Sequence, residues 1–153
     1  MNKTPAQEYL EKQILNASPA ERVVLCYDGA IKFLMAARRA IEEGKIQDRF
    51  NYNKKAGDLI AYLMDTLNME EGGEIAINLQ RIYMYMLRRL MDVDLKNSVE
   101  AIDDVVAQLR TLRASWEKIS KGDVPQQGKA AAQPQEEVED QEPEKRPRIS
   151  AMA

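Results

Sequence analysis

The stretch IYMYMLRRLM, residues 82–91, decides the fold, because its apolar residues keep a helical period on two separate sides. Extended back to Glu74, a first stripe runs Ile75, Leu79, Ile82, Met86, Leu90 and Val93, the three-and-four spacing of a helix that faces a core. A second set, Ile77, Met84 and Met91 at steps of seven with Leu87 beside them, lies roughly 160° away at about 100° per residue. The first stripe satisfies a bundle, and the second is surplus to it. On pattern alone, three readings of the surplus stay open: scattered exposed apolar residues, a seam between two copies of the chain, or a groove for a foreign apolar segment. The unbranched thioethers of Met84 and Met91 suit the groove, since they adapt to different partners.

Outward from this segment, the same reasoning gives three more long helices. Ser18-Pro19-Ala20-Glu21 reads as a helix start, with Ser at the N-cap, Pro at the first helical position and Glu placed to reach back to the cap amide; the helix runs to Gly44. A second begins near Asp48 and carries Tyr52, Ala56, Leu59, Leu63 and Leu67 before a break at Asn68 to Gly73. The third occupies about residues 74–93. Asn97 with Glu100 reads as a further capping pattern, and Ile102, Val105, Leu109, Leu112, Trp116 and Ile119 form a stripe up to a stop at Gly122. Short connections make neighbours antiparallel, so the expected fold is all-α, an up-down-up-down four-helix bundle. The first helix also exceeds a bundle's needs, its apolar residues from Val23 to Ile41 spreading over roughly 200° of the wheel.

Residues 5–15 can form a short N-terminal helix, a length marginal in water unless Tyr9, Leu10, Ile14 and Leu15 dock on something. Beyond Gly122 the chain holds four of its six prolines, seven acidic and four basic residues, and few sizeable apolar ones, a composition that does not offset ordering entropy. The expected organisation is an arm at 1–17, the bundle at 18–122 and a disordered acidic, Pro-rich tail at 123–153.

Before that tail, acidic and basic residues number 18 each. A balanced body argues against a nucleic-acid surface, which needs clustered Lys and Arg to neutralise phosphates. The longest apolar run, Ile82 to Leu87, is far below the roughly 20 residues that span a bilayer, so no membrane insertion is expected. No charged-then-apolar leader follows Met1, and the single Cys26 forms no internal disulfide, which points to the cytoplasm. The absence of histidine removes Glu-x-x-His metal pairs, phosphohistidine relays and Ser-His or Cys-His nucleophiles. Gly72-Gly73 lacks the rest of a phosphate loop. The expectation is a protein with no cofactor, no metal and no enzymatic site.

Three blocks, NASPAERVVLCYDGAIKFL (residues 16–34), EEGGEIAINLQRIYMYMLRRL (70–90) and ASWEKI (114–119), resemble the flagellin-specific export chaperones of bacterial flagella, the FliS family, in order, spacing and helical phase. The likeness extends from about Tyr9 to Ile119. It implies a cytoplasmic antiparallel bundle that holds the disordered C-terminal segment of flagellin in grooves, stops early polymerisation and delivers the client to the flagellar type III export gate. It also implies an N-terminal arm that covers part of a groove when no client is bound, with Tyr9, Leu10 and Ile14 where its anchors would lie. With that resemblance, the groove reading leads for Ile77, Met84, Leu87 and Met91. Cys26, Met84 and Leu87 depart from the residues more usual in the family, which bears on how the client fits. The rival reading is a helical regulatory module that sequesters a regulator of flagellar gene expression through the same surface. A co-chaperone and a weak homodimer stay open as further partners.

Overall fold

A computed structural model describes residues 4–122, apart from the side chains of Leu10 and Ile14; the proposed tail at 123–153 lies outside the described residues. Five helices occur there and no strand: α1 (Pro5–Leu15), α2 (Pro19–Glu42), α3 (Ile46–Asp65), α4 (Met69–Lys96) and α5 (Val99–Ser120). α2 packs against α3 and α5, and α4 packs against the same two, so α2 to α5 form a closed ring of four. Connections of two or three residues make successive helices antiparallel, which is the expected bundle.

Local sequence sets each helix start. Ser18 Oγ accepts from the Glu21 amide at 3.2 Å while Glu21 Oε1 accepts from the Ser18 amide at 2.8 Å, closing a capping box ahead of Pro19. Thr4 and Gln7 make the same reciprocal pair at the head of α1, at 3.1 and 2.9 Å.

The expected break before residue 74 is present, with one helical turn ahead of it. Asn68 Oδ1 caps the Glu71 amide at 3.0 Å, and the Gly72 amide reaches the Asn68 carbonyl at 2.8 Å. Gly73, at φ 54° and ψ −133°, is non-helical and separates that turn from the long segment beginning at Glu74. At the other end of α4, the N-cap of α5 is Ser98, whose Oγ accepts from the Ala101 amide at 3.0 Å, while Asn97 closes α4 in the left-handed region at φ 53°.

The core is built from large side chains alternating with small ones. Tyr27, Leu34, Ile60, Met86, Ile102 and Leu109 are fully buried, and Ala30, Ala37, Ala56, Ala76 and Ala101 between them let the helix axes approach. Of the first stripe on α4, Leu79, Met86, Leu90 and Val93 are buried, and Ile75 and Ile82 pack half-buried at its edge. Trp116 is buried near the end of α5.

Candidate functional site

α3 lies between α2 and α4, and both of its flanks meet apolar side chains that the core does not consume. On the α2 side the sequence places Gly29 opposite Leu59: a Cβ at Gly29 would stand 3.0 Å from Leu59 Cδ1, so the missing side chain is what seats Leu59 against α2. Around this contact Leu25, Cys26 and Phe33 of α2 and Leu59 and Tyr62 of α3 line an open groove of about 560 Å³ that is mostly apolar. Tyr62 is 41% exposed. One end of the groove is closed by aromatic packing, Phe33 and Tyr52 stacking with ring centroids 6.4 Å apart, and Lys55 Nζ sits 5.5 Å from the Phe33 centroid. Arg22 and Lys32 stand along the rim.

On the α4 side lie the residues singled out from the second stripe. Ile77, Met84 and Met91 are 39%, 45% and 59% exposed, along one outer flank of α4 at intervals of about 10 Å. Leu87 differs: it is half-buried against the core, with its Cδ2 3.9 Å from where a Cβ on Gly57 would be, so it fills the junction of α4 with α3. The structure thus brings Leu87 onto α3 and leaves the other three facing outward. Apolar side chains repeated along one outer flank of a helix offer a surface to an apolar partner segment.

The arm residues are distributed differently. Tyr9 is 68% exposed; the side chains of Leu10 and Ile14 lie outside the described residues. The end of the arm, at Gln13, Asn16 and Ala17, borders a polar cleft between α2 and α5 that also takes in Ser120 and Lys121. In this cleft the Arg113 guanidinium binds both carboxylate oxygens of Asp28 and also reaches Glu117 at 2.9 Å. The bond to Asp28 holds the Arg113 pKa above its ordinary value, and the contact latches α5 onto α2. A similar latch joins α4 to α5. The Tyr85 hydroxyl donates to Asp104 at 2.6 Å and Arg89 Nε donates to the same oxygen at 3.0 Å, and the Tyr85 bond leads the causes that lower the Asp104 pKa.

Among the described residues no group of three His, Cys, Asp or Glu side chains could hold a metal ion, and no helix is long and apolar enough to cross a membrane. What the surface offers is shape and apolar area flanked by charge, suited to an amphipathic segment laid along the bundle.

A model of the family described as flagellar protein FliS matches residues 1–123. The chain belongs to the FliS family. The flagellar secretion chaperone FliS of Salmonella typhimurium is 36% identical over 119 residues, covering 77% of this chain and 88% of the relative. The flagellar secretion chaperone FliSB of Pseudomonas aeruginosa is 34% identical over 114 residues, 74% of this chain and 90% of the relative, and the flagellar secretion chaperone FliS of Vibrio cholerae is 33% identical over 110 residues, 72% and 81%. The FliS-family match spans all five helices, so both flanks of α3 belong to the shared domain.

The groove residues Phe33, Leu59 and Tyr62 were not singled out from the sequence. A groove is a property of two helices together, and single-helix periodicity reports each side separately. The available signal was the spacing of Tyr52, Leu59 and Tyr62 on α3, one flank away from the buried Ala56, Ile60 and Leu63.

Proposed function

We propose that this FliS-family chain binds the disordered C-terminal segment of flagellin in the apolar grooves of its bundle, prevents premature polymerisation, and delivers the client to the flagellar type III export gate from the cytoplasm. The observation that carries this reading is the pair of apolar surfaces flanking α3, the groove between α2 and α3 and the Ile77, Met84 and Met91 flank of α4. A disordered client ordered on binding wraps a large apolar area and loses part of the gross interaction free energy to that ordering, so a long two-sided surface suits it better than one deep pocket. The mode is stoichiometric: apolar side chains of the client helices enter the grooves and are withheld from other subunits.

The arm extends this reading. In this reading the arm competes with client for part of the bundle surface; the exposure of Tyr9 and the position of Gln13, Asn16 and Ala17 beside the cleft between α2 and α5 support it.

Seeded flagellin polymerisation tests the proposal. Added chain should suppress filament growth in proportion to its molar ratio, reaching a full block near equivalence. Growth unaffected by an excess of folded chain would overturn it.

A further inference from the structure

The groove between α2 and α3 has a candidate occupant within the chain itself. α5 ends at Ser120, and Ser120 and Lys121 share a cleft with Leu25 and Asp28 of α2. Leu25 and Asp28 also line the α2–α3 groove, so the end of α5 lies beside one end of that groove. The groove runs along α2 from Arg22 to Phe33, roughly 16 Å at 1.5 Å per residue. The stretch from Gly122 to Glu136 reaches roughly 45 Å fully extended and about 20 Å as a flexible coil, so the acidic run that follows can lie anywhere along it.

Charge selects among the segments that could reach. The mouth carries Lys32 on α2 and Lys55 over the Phe33 ring, with Arg22 engaged by the Ala17 carbonyl at 3.3 Å, while Asp28, the acid among its described lining residues, is bound to Arg113. Residues 136–144, EEVEDQEPE, supply six carboxylates around a single valine, ahead of the basic stretch KRPR at 145–148. We propose that residues 136–144 fold back over the α2–α3 groove as its intramolecular occupant, the carboxylates facing Lys32 and Lys55 and Val138 entering the apolar floor. Because the segment is tethered, its effective concentration at the groove is of millimolar order, so weak contacts suffice to cover it and a tighter partner displaces it. The surface is thereby shielded until that partner arrives.

Cys26 reports on this directly, being the chain's single cysteine, half-buried and in the groove lining. The rate of its alkylation by N-ethylmaleimide, a neutral reagent, is measured on the full chain without any client, so the result is independent of whether flagellin is bound. Glu136→Gln, Glu137→Gln, Glu139→Gln and Asp140→Asn together should accelerate labelling several-fold with unchanged helicity. Raising the ionic strength to about 1 M, where charges are screened within about 3 Å, should do the same to the parent chain and little to the variant. On the other side of the contact, Lys32→Glu should match the tail variant. Equal rates in all three proteins would overturn the proposal. So would protection that grows with protein concentration, which would place the tail on a second copy, or acceleration by Tyr9→Ala in place of the tail changes, which would make the arm the occupant.

Discussion

The hydroxyls of Tyr27 and Tyr83 meet at 2.5 Å in the middle of the bundle, joining α2 to α4 across the diagonal of the ring. Each hydroxyl is the other's partner, so Tyr83→Phe or Tyr27→Phe leaves one buried hydroxyl without it. Each variant should cost about 1 to 3 kcal/mol, measured by urea unfolding. No loss in either variant would contradict the arrangement.

The same pair sets an alkaline limit. Burial pushes the Tyr27 hydroxyl well above its usual pKa of 10 and Tyr83 up to about 12. The folded state therefore holds these protons more tightly than the unfolded chain, so the associated stability is complete below pH 10 and is lost as pH rises from 10 towards 12. Stability measured across that window should fall in the parent chain and fall less in Tyr83→Phe; parallel slopes would count against a buried pair.

Gly57 and Gly29 both lie within helices, yet they should respond differently to alanine. A Cβ at Gly57 would touch Leu87 Cδ2 at an ordinary 3.9 Å, so Gly57→Ala should stabilise the bundle by about 0.5 to 1 kcal/mol through backbone entropy. At Gly29 the same methyl would meet Leu59 Cδ1 at 3.0 Å and displace it. Gly29→Ala should then gain less than Gly57→Ala, and thermal unfolding of the two variants side by side checks the order.

Arg49 is 7% exposed, an unusual place for a guanidinium, and it donates to Asn97 Oδ1 at 2.6 Å with Asp94 at 3.5 Å. It fastens α3 to the C-terminus of α4, where Asn97 holds φ 53°. Arg49→Ala should cost about 2 kcal/mol through the lost bond and lost packing of its stem. At Asn97, Ala should destabilise by about 1 kcal/mol more than Gly, since only Gly enters the left-handed region without a Cβ penalty. Equal losses for the two would show that the backbone there relaxes.

Deleting residues 1–15 should speed or tighten client binding, if the exposed Tyr9 and its neighbours compete with client for the bundle. Stopped-flow association of the shortened chain with a flagellin peptide measures it, and slower or weaker binding would contradict a covering arm.

The helices were legible because apolar spacing records burial directly: Leu79, Met86, Leu90 and Val93 on α4, and Ile102, Val105, Leu109 and Trp116 on α5, are core residues as their stripes imply. The capping box at Ser18 and Glu21 was equally readable, being a contact within four residues. Less legible was what depends on distant partners. Arg49 and Asn53 look like solvated positions, and only the proximity of Asn97 and of the Leu90 carbonyl, which Asn53 reaches at 3.0 Å, explains their burial. Gly72-Gly73 read as a break and Gly73 is non-helical, but the helical turn that a cap at Asn68 holds ahead of it was not legible. The second stripe on α4 could be located by phase; that Leu87 of that set turns inward onto Gly57 required the position of α3.

The central claim is that the surplus apolar surface is a client site, and calorimetric titration of the full chain with the C-terminal segment of its cognate flagellin tests it most directly. The account predicts one-to-one binding with a large negative heat-capacity change. Met84 and Met91 are about half exposed, so Met84→Asp with Met91→Asp should keep the bundle folded while weakening binding by about 2 kcal/mol or more. Undiminished binding by the folded double variant, or no binding by the parent chain, would contradict the account.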